Sequence, residues 1–239
     1  MEEKVSNTTS EVMLMELERS QCAKCSLRGR EKVCLVEEGG FGPSFCPTVN
    51  RTEAIEKSLD DYRDEQTAEF TRQSIIQEGC GYEERDSRPY GVKTRIQEIV
   101  EFAERMGYRR LGLAFCSGLH KEAAVFNELL ENQGFEVASV VCKVGCVPKE
   151  SLGIRDEEKV AVGTFETTCN PLAQAEILNG ENTQFNIILG LCVGHDSLFI
   201  KGSNAPVTVL AVKDRVTGHN PLAALYTLDS YYRRLKRKR

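Results

Sequence analysis

The chain has 239 residues, of which 41% are hydrophobic and 28% are charged. This composition is typical of globular proteins and excludes fibrous, collagen-like and fully disordered chains. At about 100 to 200 residues per domain, the length predicts one full-sized domain with an appendage or two small domains. The longest apolar run, Ile187 to Val193, is far shorter than the roughly 18 residues of a membrane span, and the polar N-terminus has no secretory signal. We therefore expect a soluble, cytoplasmic protein with no membrane association.

The charges are distributed unevenly along the chain. The net charge is −5, from 31 basic and 36 acidic residues, although the segment 233–239 is almost entirely basic. An acidic body argues against a nucleic-acid-binding protein, because a basic surface should dominate such a domain. We expect the basic tail at 233–239 to be a solvated terminus, with contact to phosphates or to an anionic surface as the alternative.

The N-terminal part contains a group of closely spaced cysteines. Residues 1–21 form a polar tail with a short helical patch over 11–19, and residues 22–50 are rich in glycine and proline with few core-sized side chains. A Cys-x2-Cys pair and two further cysteines can provide the four thiolates of a tetrahedral metal site. Zinc is our first expectation for this four-cysteine module and an iron-sulfur cluster the second; unligated cysteines and a thioredoxin-type redox pair remain alternatives. The predicted ligands are Cys22, Cys25, Cys34 and Cys46.

Residues 51–92 are predicted to connect this module to the rest of the chain. Apolar residues recur at helical spacing from Thr52 to about Ile76, which predicts one long amphipathic helix with Thr52 as its N-cap. Glycines and a proline between Gly79 and Gly91 predict a loop.

Residues 93–232 have the pattern of an α/β domain. Helical stripes and short apolar runs alternate, which implies right-handed crossovers and a parallel sheet covered on both faces. We therefore predict an open, mostly parallel sheet in a Rossmann-like three-layer arrangement, although the usual Gly-rich nucleotide fingerprints are absent. The predicted helices are 96–106, 121–133, 171–179 and 222–232, the predicted strands are 111–115, 136–141, 186–191 and 207–212, and the segment 151–162 is irregular.

Three of the predicted strands are followed directly by a cysteine. Cys116, Cys142 and Cys192 occupy these positions, and the carboxyl ends of parallel strands form the ligand crevice of an open sheet. Cys169 precedes Asn170 and Pro171, which suit the N-cap and the first position of a helix, so its sulfur should lie near a helix N-terminus. We expect these four thiols to converge and to bind a metal or a cluster. The alternative is ordinary core packing, because cysteine is often buried.

Polar and charged residues follow the last two strands and belong to the same predicted crevice. The sequence His219-Asn220-Pro221 repeats the pattern of Cys169-Asn170-Pro171 and predicts a second capped helix. Structural hydrogen bonding is the alternative role for either histidine, and Cys80 and Cys146 are left unassigned. The further candidate ligand-binding residues are His195, Asp196, Lys213, Asp214 and His219.

Several strings in the chain resemble a prokaryotic family of uncharacterised, predicted metal-binding proteins, a cysteine-rich domain of unknown function. The resemblance covers the chain from the N-terminal cysteines to about Tyr232 and implies a cysteine-rich metalloprotein, but no reaction. The strings that carry it are 112–119, 140–145, 169–171, 190–196, 205–206 and 212–221.

The first functional hypothesis is therefore a cytoplasmic metal-binding protein whose partners are a metal ion and, as an open alternative, a small-molecule ligand. A second hypothesis is a cysteine-dependent enzyme that uses Cys116 or Cys192 as nucleophile or redox thiol, with His195 or His219 as acid-base partner. A third is a regulatory or partner-binding protein with a purely structural zinc ion.

Overall fold

The computed structural model describes residues 19–237. The described residues divide into two compact units, with the boundary between Thr71 and Arg72. Most of the predicted helical patch at 11–19 and the last two residues of the basic tail lie outside the described residues. Within residues 19–237, no helix combines the length and the apolar character that a membrane-spanning segment requires.

The described part of the first unit is a loop-rich segment followed by helices. Two short 3-10 turns, Cys22–Lys24 and Gly29–Glu31, precede helices α1 (Pro47–Asn50) and α2 (Thr52–Asp61), and helix α3 begins at Glu65. No residue between 19 and 71 is buried. This part of the structure therefore has little apolar burial, as the sequence predicts for residues 22–50.

The prediction of one long helix from Thr52 to Ile76 is wrong. Helix α2 ends at Asp61, and α3 spans Glu65–Cys80. The carboxylate of Asp64 accepts a hydrogen bond from the backbone N–H of Thr67 at 2.9 Å, which is an N-cap contact and starts a new helix. Thr52 is the first helical residue rather than the N-cap, a position that Arg51 occupies.

A β-hairpin replaces the predicted loop at 79–91. Strands β1 (Tyr82–Arg85) and β2 (Arg88–Gly91) pair in antiparallel register. Asp86 and Ser87 between them have φ values of 51° and 59°, as a two-residue hairpin turn of type I′ requires. The sequence prediction failed because the strands are short, polar and exposed.

The second unit is built around a four-stranded sheet. Strands β3 (Arg110–Phe115), β4 (Glu136–Val141), β5 (Phe185–Leu191) and β6 (Val207–Val212) are ordered β4-β3-β5-β6. Every adjacent pair is parallel, so the predicted parallel sheet is confirmed. Each residue of β5 is buried, as expected for a central parallel strand. From β3 the chain continues to β4 on one side of the sheet, and from β5 it continues to β6 on the other side. This reversal creates a topological switch point between β3 and β5.

The helices of the second unit agree with the predictions except at two places. Helix α7 was not predicted, and the C-terminal helix ends at Tyr226 instead of Tyr232. Thr94 caps α4 by accepting a hydrogen bond from the backbone N–H of Gln97. The helices are α4 (Arg95–Arg105), α5 (His120–Asn132), α6 (Pro171–Gly180), α7 (His195–Gly202) and α8 (Leu222–Tyr226).

Candidate functional site

Three cysteines extend the parallel strands by one residue at their carboxyl ends. The backbone N–H of Cys116 donates to the carbonyl of Leu189 at 3.0 Å, and the N–H of Cys142 donates to the carbonyl of Phe115 at 2.8 Å. Cys192 follows β5 directly. The sheet register therefore places these cysteines on one edge, beside the switch point where ligands bind in open α/β sheets.

A fourth cysteine reaches this edge through a long loop. The sulfur of Cys169 lies 3.7 Å from the sulfur of Cys142. The backbone N–H of Asn170 donates to the carbonyl of Cys142 at 2.8 Å, which fixes the two chain segments side by side. Asn170 is the N-cap of α6, since its side chain accepts from Ala173, and Pro171 is the first helical residue. Both helix-start roles that the sequence predicts are confirmed.

Ion pairs hold the loop between these two cysteines. Pro148 and Thr167 form an antiparallel bridge that closes the loop near its base. Lys149 contacts the carboxylate of Glu166. The side chain of Lys159 is 4% exposed, and its amine contacts two further carboxylates, those of Glu150 and Asp156. The loop that carries Cys169 is therefore an ordered part of the site.

The contact shifts the pKa values of the two thiols in opposite directions. Their hydrogen bond is the main cause that lowers the pKa of Cys169 to about 6, burial opposes this change, and the positive charge of Lys143 assists it. The same hydrogen bond and burial raise the pKa of Cys142 above its ordinary value. The singly protonated pair therefore has a thiolate on Cys169 and a thiol on Cys142.

The buried sulfur of Cys142 is held by its neighbours. Cys142 is 2% exposed, whereas Cys169 is partly accessible. The backbone N–H of Ser117 points to the sulfur of Cys142 at 3.3 Å. The pair thus consists of one partly exposed cysteine and one buried cysteine.

Gln174 of α6 positions the strand ends beneath the cysteines. Its side chain is fully buried, and its amide nitrogen donates to the carbonyl of Val140 at 2.7 Å and to that of Phe115 at 3.3 Å. These carbonyls lie at the carboxyl ends of β4 and β3, just before Cys142 and Cys116. Gln174 therefore links α6 to both strand ends. No local pattern in the sequence predicts this role.

Cys192 has a cationic partner. A guanidinium nitrogen of Arg215 lies 3.3 Å from its sulfur. The hydrogen bond to Cys192 is the main cause that raises the pKa of Arg215, and the charges of Cys116 and Cys169 contribute in the same direction. All three sulfurs therefore act on the same guanidinium. Arg215 directly follows Lys213 and Asp214 after β6, where the sequence predicts cations of the crevice.

Lys213 lies close to the end of β3, as the sequence predicts for a crevice residue. Gly118 is close to the amine of Lys213: a methyl group at its Cα would lie 3.1 Å from the Lys213 nitrogen and 3.8 Å from the sulfur of Cys116. Lys143 is a further cation of the site that was not predicted. Its amine donates to the carbonyl of Thr167 at 2.5 Å, and its position directly after Cys142 was the available signal.

Gly190 makes room for the segment that follows Cys116. Its φ is +73°, and a methyl group at its Cα would approach the side chain of buried Leu119 to 2.1 Å. Glycine at this position satisfies both the left-handed backbone and the close approach. The register of β5 against β6 is irregular at the same place.

His195 and Asp196 form the first turn of α7. Asp196 accepts hydrogen bonds from the backbone N–H groups of Gly194 and Ser197, and is thereby committed to the helix start. Burial lowers the pKa of His195, the positive charge of Lys143 adds to this effect, and Asp196 opposes it. A neutral imidazole beside Lys143 is consistent with the predicted place of His195 in the crevice.

His219 and Asp214 form a separate hydrogen-bonded turn. His219 has a φ of +68°, and its Nδ1 accepts from the backbone N–H of Asp214 at 3.1 Å. The predicted cap at Asn220 is wrong: Pro221 is the N-cap of the five-residue helix α8, with no side-chain capping bond. The resemblance of this string to the one at Cys169 therefore does not extend to its structure.

The four N-terminal cysteines all lie in the first unit. Cys22 and Cys25 are joined by a 3-10 turn in which the Cys25 N–H donates to the Cys22 carbonyl at 3.0 Å. Cys46 precedes α1. Among residues 19–237, no three His, Cys, Asp or Glu side chains form a group with the proximity that metal ligation needs.

Comparison with known proteins identifies a family but not an activity. A family model described as a protein of unknown function, DUF1847, matches residues 46–210. An archaeal relative, Uncharacterized protein MJ0455 of Methanocaldococcus jannaschii, is 41% identical over 182 residues, which cover 76% of this chain and 87% of the relative. The match at 46–210 contains the crevice cysteines and, of the four N-terminal cysteines, only Cys46. The chain belongs to DUF1847, a family of proteins of unknown function, as the resemblance in its sequence indicates.

Proposed function

We propose that the protein is a thiol–disulfide oxidoreductase, in which Cys169 attacks a disulfide and Cys142 resolves the intermediate. The observation that carries this proposal is the 3.7 Å separation of the two sulfurs. Only a small closure is needed to reach the roughly 2.05 Å of a disulfide bond. This assignment moves the nucleophile from Cys116 or Cys192 to Cys169.

The environment of each sulfur supports its role. Thiolates are the attacking species in disulfide exchange, and a thiol whose pKa lies near ambient pH attacks best. Cys169 has a pKa of about 6 and is partly accessible. Cys142 is enclosed and stays protonated, so it is protected until a mixed disulfide forms beside it.

Differential alkylation tests the proposal. Brief treatment with iodoacetamide at neutral pH, followed by peptide mapping, should label Cys169 before Cys116, Cys142 and Cys192. In Cys169→Ser, the fast phase should be lost. The matched control Cys146→Ser removes an exposed cysteine outside the crevice pair and should retain the fast phase at Cys169.

The same experiment separates the proposal from its rivals. Protection of Cys169 until a chelator is added would favour a metal bound by the crevice thiols. Slow labelling with and without chelator would favour core packing of the cysteines. Either result would contradict the oxidoreductase proposal.

We also propose that the four-cysteine module binds a structural zinc ion. The supporting observation is that residues 19–71 contain no buried residue, so apolar burial offers little stabilisation to this segment, and zinc binding supplies folding free energy in such modules. Ligation would require Cys22, Cys25, Cys34 and Cys46 to converge on the ion.

Elemental analysis of the double variant Cys22→Ser/Cys25→Ser should show the loss of about one zinc per chain, with Cys80→Ser as control. Unchanged zinc content would contradict this proposal.

A further inference from the structure

We propose that the crevice selects anionic disulfides, and that Arg215 is the residue that binds a carboxylate next to the reacting sulfur. This inference rests on the proposed thiol–disulfide exchange. It adds the chemical class of the substrate: a low-molecular-weight disulfide with a carboxylate close to its S–S bond.

Arg215 has donors that its observed partner does not use. The planar guanidinium has five N–H donors, and its geometry matches the two oxygens of a carboxylate. Here the hydrogen-bonding partner is the sulfur of Cys192 at 3.3 Å. One sulfur uses few of these donors, and the exposed side chain of Arg215 can offer the remainder to a ligand.

Arg215 is one of several cations at the same sheet edge. Lys143 acts on the charge of Cys169, and Lys213 lies near the end of β3. Within residues 19–237, the structure gives neither of these lysines nor Arg215 an ion pair with a carboxylate. The protein as a whole has a net charge of −5, so this concentration of positive charge is a local feature.

The nearby carboxylates do not pair with these cations. Oδ1 of Asp196 accepts from the N–H groups of Gly194 and Ser197. Oδ1 of Asp214 accepts from the N–H groups of Val216 and Thr217. Within residues 19–237 neither carboxylate forms an ion pair with the three cations, so the cations remain available to an incoming anion.

The proposed exchange has two steps. The Cys169 thiolate attacks one sulfur of the substrate, an S–S bond forms between them, and the substrate S–S bond breaks to release the first thiolate. Cys142 then attacks the Cys169 sulfur and its proton passes to the departing sulfur of the substrate, which forms the Cys142–Cys169 disulfide and releases the second half of the substrate as a thiol. The substrate is reduced by two electrons and the protein dithiol is oxidised by two electrons. Arg215 binds the carboxylate beside the sulfur under attack.

Two chromogenic disulfides of different charge provide the test. Dithiobis(nitrobenzoate) carries two carboxylates, whereas dithiodipyridine is neutral at neutral pH. For each reagent, the rate at Cys169 is the stopped-flow rate of the full chain minus that of Cys169→Ser. The measured quantity is the ratio of the anionic to the neutral rate, which cancels changes in the intrinsic reactivity of the thiolate.

Arg215→Met should lower this ratio about tenfold or more, the effect expected from the loss of one charge-assisted hydrogen bond. The control Arg88→Met removes an exposed arginine from the hairpin strand β2 and should leave the ratio unchanged. Added salt should lower the ratio in the unmodified chain, because screening weakens interactions between exposed charges.

The outcomes distinguish this inference from the proposed function. If Cys169 reacts rapidly with both reagents and Arg215→Met leaves their ratio unchanged, anion selection by Arg215 is wrong while the oxidoreductase proposal stands. If Cys169 reacts rapidly with neither reagent, both are wrong. A ratio in the unmodified chain that does not respond to salt would likewise overturn selection by charge, whatever the folding of the Arg215 variant.

Discussion

Cys142 and Cys169 are 27 positions apart in the chain, and their sulfurs lie 3.7 Å from each other. The hydrogen bond from the Asn170 N–H to the Cys142 carbonyl joins their backbones at the same place. The backbones of the loop and of the start of α6 therefore hold the two cysteines next to each other.

Lys143→Met should raise the pKa of Cys169. The positive charge of Lys143 stabilises the thiolate, so its removal should move the alkylation profile of Cys169 to higher pH and reduce the labelling rate near the native pKa of about 6. Mass spectrometry of the Cys169 peptide across a pH series measures this shift. Lys121→Met, on the exposed side of α5, is the matched control. An unchanged profile in Lys143→Met would show that Lys143 has no effect on this thiolate.

Gln174→Met should destabilise the second unit. The substitution removes the hydrogen bonds that the Gln174 amide donates to the Val140 and Phe115 carbonyls. The Phe115 carbonyl still accepts from the Cys142 N–H, so the expected loss is the roughly 0.5–1.5 kcal/mol of a buried hydrogen bond. Urea unfolding measures the free energy of unfolding. Gln133→Met, at the exposed C-cap of α5, should change it by less than about 0.5 kcal/mol. Equal stability of the two variants would refute the role assigned to Gln174.

Gly190→Ala should be more destabilising than Gly134→Ala. Both glycines have positive φ, so both substitutions introduce backbone strain of about 1–2 kcal/mol. Only Gly190 also faces a buried neighbour, the side chain of Leu119, whereas the position at Gly134 is open. Overpacking should add about 1–3 kcal/mol at Gly190. Thermal or urea unfolding of the two variants tests this difference, and equal losses would mean that Leu119 moves aside without cost.

Acid should open the loop between Cys142 and Cys169. Hydrogen bonds from Lys159 lower the pKa of Glu150 and Asp156, and the hydrogen bond from Lys149 lowers the pKa of Glu166. Groups with a depressed folded pKa stabilise the fold above their ordinary values of 4.5 and 3.8, and this contribution is lost as the pH falls through the depressed values.

Hydrogen exchange of residues 149–167 measures this opening. Protection should persist at neutral pH and fall below about pH 4, the ordinary range of carboxyl groups, before the sheet strands lose protection. Lys159→Met should show reduced protection of this segment already at neutral pH. Simultaneous loss of protection in the loop and in β5 would contradict a local, carboxylate-dependent opening.

The sheet was the most predictable part of the fold. Strands β4 and β6 have the predicted bounds, because each is a short apolar run between turn residues. Helix α7 was missed because its start depends on Gly194, whose φ of +85° has no unambiguous signature in one sequence. The exposed hairpin at 82–91 was missed for a related reason, since its strands lack buried residues.

The candidate site was predictable only in its outline. The rule for parallel strands located Cys116, Cys142 and Cys192 at one sheet edge, and capping chemistry located Cys169 at the start of α6. The contact between Cys142 and Cys169 depends on the ion pairs and the bridge of the intervening loop, which no local pattern specifies. The partnership of Arg215 with Cys192 likewise depends on how β6 aligns with β5.

Disulfide mapping shows directly whether Cys142 and Cys169 form a redox pair. The full chain, purified reduced and anaerobically, is treated with one equivalent of diamide, alkylated and digested without reduction. We predict that a linked peptide pair containing Cys142 and Cys169 is the main oxidised product, and that Cys142→Ser accumulates a mixed disulfide at Cys169 when an excess of a small disulfide is present. Oxidation that links other cysteines while Cys142 and Cys169 both remain reduced would contradict the account.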